Sequence, residues 1–118
     1  MQTTTHSMKL NDAPFDAMAR GEKTIELRLF DKKRRTVAIG DEIIFTRVGT
    51  SERIRARVIA LHRFPTFAEL YASLPIERLG YSREQIPTAS HVDMEAYYPI
   101  ERQRELGVIG IEIETVEK

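Results

Sequence analysis

The feature that most constrains this chain is a short alternation between Thr24 and Phe30. Ile25, Leu27 and Leu29 are separated one by one by Glu26 and Arg28, with Thr24 ahead of them. Only an extended strand, whose side chains point to opposite faces with period two, gathers the apolar residues on one side. The other face then carries a hydroxyl, a carboxylate and a guanidinium in a row. A strand with one apolar and one polar face needs a cover for the first and leaves the second free for recognition.

The segments around it read as follows. Met8 to Leu10 is a short strand, and Asn11-Asp12 with Pro14 in the first turn starts a helix carrying Phe15, Met18 and Ala19 at helical spacing. Gly21 stands where a residue of positive φ ends such a helix. Lys32 to Arg35 is a basic loop, followed by the turn signal Gly40-Asp41 and a strand from Glu42 to Val48. Val48-Gly49-Thr50-Ser51 turns into a second long strand reaching about His62, in which Ile54, Ala56 and Val58 alternate with Arg53, Arg55 and Arg57. Thr66 caps a helix through Phe67, Leu70 and Leu74, with Glu69 completing a capping box. Residues 76 to 90 are irregular, Val92 to Tyr97 is helical, a further helix runs from Pro99 to Leu106, and Gly107 to Val116 is the last strand. Strands early and late with helices between them describe an α+β chain whose mixed sheet curls into a small barrel.

At 118 residues, with no Pro/Gly/Ser-rich divider, the chain is expected to form one domain over 8–118, preceded by an extended or disordered segment 1–7. It has no cysteine, no long apolar run and no apolar leader, so a cytoplasmic protein without disulfides or membrane contact is the expectation. His6, His62 and His91 are far apart and no ligand spacing is present, so neither a metal nor a cofactor is expected. Net charge is zero but unevenly spread: residues 20–63 carry a balance of +6 and residues 64–118 one of −5. A basic first half suits phosphates, and a solvated charged surface produces the same counts. Oligomeric state is not written in any of these patterns.

Gly21-Glu22-Lys23-Thr24-Ile25-Glu26-Leu27-Arg28 resembles the G-x-K-x-x-E-x-R motif of the ASCH domain family, matching at Gly21, Lys23, Glu26 and Arg28. Gly40-Asp41-Glu42-Ile43-Ile44-Phe45 is similar to the family's following strand, and Leu70-Tyr71, Leu79-Gly80-Tyr81, Tyr97-Tyr98 and Gly107 to Ile111 resemble a small single-domain bacterial branch. The resemblance implies a PUA-like mixed β-barrel with short helices packed around it, and a cleft beside the motif in a superfamily with many RNA-binding members.

Lys23, Glu26 and Arg28 supply an ammonium, a carboxylate and a guanidinium fork, a set suited to a phosphate and the polar edge of a base. RNA or a nucleotide or nucleoside is the implied partner. Arg53, Arg55 and Arg57 on one strand face have the spacing to follow a phosphate backbone, with Lys32 to Arg35 as a flexible arm; a solvated outer face is the equally weighted alternative. Tyr98 is the candidate stacking residue.

An enzymatic alternative also follows from the resemblance. Some small ASCH proteins are similar to acetylcytidine amidohydrolases, in which a Lys, a Thr and a Glu are the implied catalytic groups. Glu26 stands where that branch has its Thr, so catalysis on an acylated cytidine or RNA needs Lys23 as base, Thr24, a water or a substrate hydroxyl as nucleophile, and Glu26 as acid or orienting group.

Overall fold

The alternating segment is a strand, and the sheet around it explains both of its faces. A computed structural model describes residues 3–116, in the order β1 (Thr5–Leu10), α1 (Asp12–Ala19), β2 (Ile25–Leu29), β3 (Glu42–Arg47), β4 (Arg53–Phe64), α2 (Phe67–Ser73), α3 (Ile100–Leu106) and β5 (Val108–Thr115). Short 3-10 turns occupy Arg34–Thr36, Ile76–Arg78, Ile86–Thr88 and His91–Ala96. Thr5 to Ser7 belong to β1; the expectations for residues 1 and 2 and for the chain's last two positions lie outside the described residues.

The five strands form one sheet in the order β1-β3-β4-β5-β2. β1 runs parallel to β3, and every other pairing is antiparallel. The sheet curls into a half-barrel with short helices packed around it, an α+β PUA-like fold. Its two edges, β1 and β2, are not paired with each other, and Arg28 of β2 bridges this seam to the Lys9 carbonyl of β1. Inside the curl, Met8, Phe15, Met18, Ile43, Phe45, Val58 and Ile111 make one core. The opposite face of β2 packs Ile25, Leu27 and Leu29 against Phe67 and Leu70 of α2 and Val108 of β5. Each such buried side chain contributes about 1.5–3 kcal/mol of transfer free energy.

α1 ends as its sequence dictates. Gly21, at φ +79°, follows the last helical turn; its N–H donates to the Met18 carbonyl and that of Glu22 to Ala17. This pair of bonds is the Schellman arrangement, and it turns the chain so that Lys23, whose N–H also donates to the Ala17 carbonyl, leads toward β2. Arg47 pins α1 to β3 by pairing with Asp12 and Asp16 and lying 4.4 Å from the Phe15 ring centre.

Four local expectations need correction. The strand begins at Ile25, leaving Thr24 just outside it. The capping box at Thr66 does not form: its hydroxyl bonds the Glu69 carboxylate, and the Phe67 N–H is satisfied by Gln103 Oε1, brought across from α3 at 2.9 Å. The helix at Val92 to Tyr97 is a 3-10 turn, capped by Ser90 and Asp93. Lys32 to Arg35 is not a flexible arm. Asp31 accepts from the Arg34 backbone and guanidinium, and Lys33 Nζ donates to the Ser7 carbonyl, so the segment is tied to β1.

Candidate functional site

Lys23 and the polar face of β2 open into a cleft of about 830 Å³ at the seam. Lys9 and Leu10 of β1 form one side; Gly80, Tyr81 and the segment from Val92 to Tyr98 form the other.

Glu26 is the hub. It is buried, and its carboxylate accepts from Arg28 Nε at 2.6 Å while Lys23 Nζ stands 3.2 Å from the other oxygen. Burial works to raise its pKa, but the adjoining charges and hydrogen bonds of Lys23 and Arg28 outweigh this and hold the carboxyl below the ordinary glutamate value. Arg28 is shifted the other way: desolvation lowers its pKa, and the Glu26 carboxylate more than restores it. A carboxylate between two cations leaves the group with one net positive charge.

Lys23 is also buried, and its ammonium donates to the Ile25 and Leu79 carbonyls at 3.0 and 2.9 Å. With Glu26, these acceptors match the three N–H bonds of an ammonium. Leu79 can reach it because the chain turns at Gly80, where φ is +112°. Arg28 NH2 donates to the Lys9 carbonyl at 2.8 Å, crossing the seam from β2 to β1.

The aromatic wall has its own scaffold. Tyr98 stacks on Phe67 with ring centres 5.9 Å apart, and burial raises its phenol pKa. The Tyr81 hydroxyl donates to Asp93 at 2.7 Å and receives a bond from Tyr71 at 2.8 Å. Asp93, held below the ordinary aspartate value chiefly by that Tyr81 bond, also accepts from the Ser90 N–H. These bonds fix the segment that faces Glu26 across the cleft.

Lys23, Glu26, Arg28 and Tyr98 thus meet in one concavity. Thr24 does not line it; its Oγ1 is buried without a hydrogen-bond partner among the described residues. Arg53, Arg55 and Arg57 are exposed on the outer face of β4, Arg55 pairing with Glu42 and Arg57 with Glu114, away from the cleft. Sequence reasoning passed over Tyr71, Tyr81 and Asp93 as a unit. The Leu79-Gly80-Tyr81 run is a visible signal for the wall, but nothing in the order of residues announces that Tyr81 would meet Asp93.

No curated protein sequence matches the chain significantly. Among solved structures it is similar to the crystal structure of hypothetical protein PH0355, with a TM-score of 0.79 and 29% identity, over 96% of this chain and 100% of that one. It is also similar to the solution structure of protein PF0455 from Pyrococcus furiosus, with a TM-score of 0.74 and 27% identity, over 98% of this chain and 100% of the other. The ASCH domain matches residues 8–117. By that match and by its curled sheet, the chain belongs to the ASCH domain family, a PUA-like fold generally linked to RNA binding.

Proposed function

We propose that the cleft binds RNA or a nucleotide without altering it. The observation that carries this reading is the convergence of Lys23, Glu26, Arg28 and Tyr98 on one concavity. Its volume is within the range of small-ligand sites, and its makeup combines a π face, a buried acceptor and a cationic fork. Arg28 has N–H donors beyond the two in use, and these suit a phosphate or a base carbonyl.

What favours binding over catalysis is the state of the would-be catalytic groups. The Lys23 ammonium is surrounded by three acceptors, and the Thr24 hydroxyl lies off the cleft. A general base needs a free lone pair within reach of a nucleophile, and this pair has no such arrangement. Titrating short single-stranded RNAs and mononucleotides at several salt concentrations tests the reading. Affinity that falls with salt and is weakened by Arg28→Ala supports it; absent or salt-indifferent binding overturns it.

A further inference from the structure

Two arginines outside the cleft share one aromatic ring. The guanidinium carbon of Arg63 lies 4.2 Å from the Phe30 ring centre and that of Arg35 lies 4.9 Å from it. Both side chains are exposed, and neither makes an ion pair among the described residues, whereas Arg28, Arg34, Arg47, Arg55 and Arg57 each face a carboxylate. Beside the ring opens a second groove of about 490 Å³, walled by Arg63, Phe64, Pro65 and Leu106. Cations without a carboxylate partner among the described residues, held over an aromatic ring next to an apolar groove, have the makeup of a nucleotide subsite. The groove takes the base, and the guanidiniums take the phosphate.

The groove and the cleft share no lining residue, but strand register brings them near each other. Phe30 follows Arg28 by two positions, and Arg28, Ile109 and Arg63 lie opposite one another across β2, β5 and β4. That row spans two strand spacings, about 10 Å. Ile109 itself is buried, so a ligand seated on Arg28 that reaches Arg63 and Arg35 with further nucleotides passes over the surface above it.

We propose that the groove at Phe30, Arg35 and Arg63 holds nucleotides flanking the one in the cleft, which makes the ligand a single-stranded oligonucleotide and not a free mononucleotide. This rests on the cleft reading above and names its ligand class. An acidic peptide would satisfy the same arginines but has no flat rings for the groove.

The test measures binding of a mononucleotide, of single-stranded RNAs two to eight nucleotides long, and of a polyglutamate peptide of matching charge. Wild-type protein is compared with Arg35→Ala/Arg63→Ala, with thermal unfolding as the check on folding. Expected are an affinity that climbs as nucleotides are added, a loss of about tenfold for the oligonucleotides in the double variant, and an unchanged mononucleotide affinity. If the mononucleotide binds but added nucleotides gain nothing, or the double variant binds oligonucleotides as tightly, the inference falls and the cleft reading stands. Polyglutamate binding as tightly as RNA overturns the inference as well. If neither mononucleotide nor RNA binds, the cleft reading itself fails and takes the inference with it.

Discussion

The side chain of Lys23 lies directly against Gly80: a Cβ at position 80 would stand 3.1 Å from Lys23 Cδ and 3.4 Å from its Nζ. The same glycine has φ +112°, a conformation that L side chains rarely adopt. Gly80→Ala therefore meets two obstacles at once. It should cost about 1–3 kcal/mol of stability and push Lys23 out of line with Glu26. Denaturant unfolding reads the first effect and RNA titration the second. Gly21→Ala, with nothing within 4 Å of its added Cβ, should lose stability alone.

Removing the hub has the opposite logic. Glu26→Gln leaves buried Lys23 and partly buried Arg28 without their carboxylate, a loss of about 3–5 kcal/mol. The pH dependence follows from the direction of the Glu26 shift. Its pKa is lower in the folded protein than in the unfolded chain, so the unfolded chain binds the proton more readily. Its stabilisation is complete above the ordinary glutamate pKa of about 4.3 and disappears as pH falls through the lower folded value. Chemical denaturation between pH 7 and pH 3 should show stability falling for the wild type and a flatter curve for Glu26→Gln.

Asp41 makes an independent prediction away from the cleft. Its buried carboxylate accepts from His6 Nε2 at 2.8 Å and from the backbone N–H groups of Thr4 and Ala38. Burial pushes its pKa up, but these bonds prevail and hold it below the ordinary aspartate value. Asp41→Ala leaves those donors without their acceptor and loosens β1 from β3, at a cost of about 2–4 kcal/mol. Hydrogen exchange should show the β1 amides losing protection first.

The exposed arginines should separate from the cleft in a binding assay. Arg53→Gln/Arg55→Gln/Arg57→Gln removes outer-face charge and ion pairs worth little, so stability should move by less than about 1 kcal/mol. Mononucleotide affinity should stay within about twofold, while Arg28→Ala lowers it by about tenfold. Equal losses in both variants would place the ligand on β4 instead.

Catalysis has a direct check. Incubated with acylated cytidines and with RNA, the protein should release no product detectable by chromatography. Turnover that disappears in Lys23→Ala would instead establish the amidohydrolase reading.

The strand at Ile25 to Leu29 and the long β4 were legible because period-two alternation is a local property that the sheet only has to accept. The turn at Gly21 was legible for a similar reason: positive φ is a property of one residue. What could not be read was set by partners distant in sequence. The Phe67 N–H is capped by Gln103, 36 positions away, and a local rule chose Thr66 and Glu69. Lys23 owes one acceptor to Leu79, and Tyr81 owes its orientation to Asp93. Arg53, Arg55 and Arg57 do alternate, but alternation does not reveal which sheet face looks outward.

Arg28 and Lys33 donate to the carbonyls of Lys9 and Ser7, two residues apart on the edge of β1 that faces away from β3. A strand edge with open carbonyls is a template on which another copy of the chain can stack. Here two cations occupy those positions, so the residue that shapes the cleft also helps to keep neighbouring molecules from zipping onto the barrel. Arg28→Ala should therefore expose a sticky margin as well as an empty cleft.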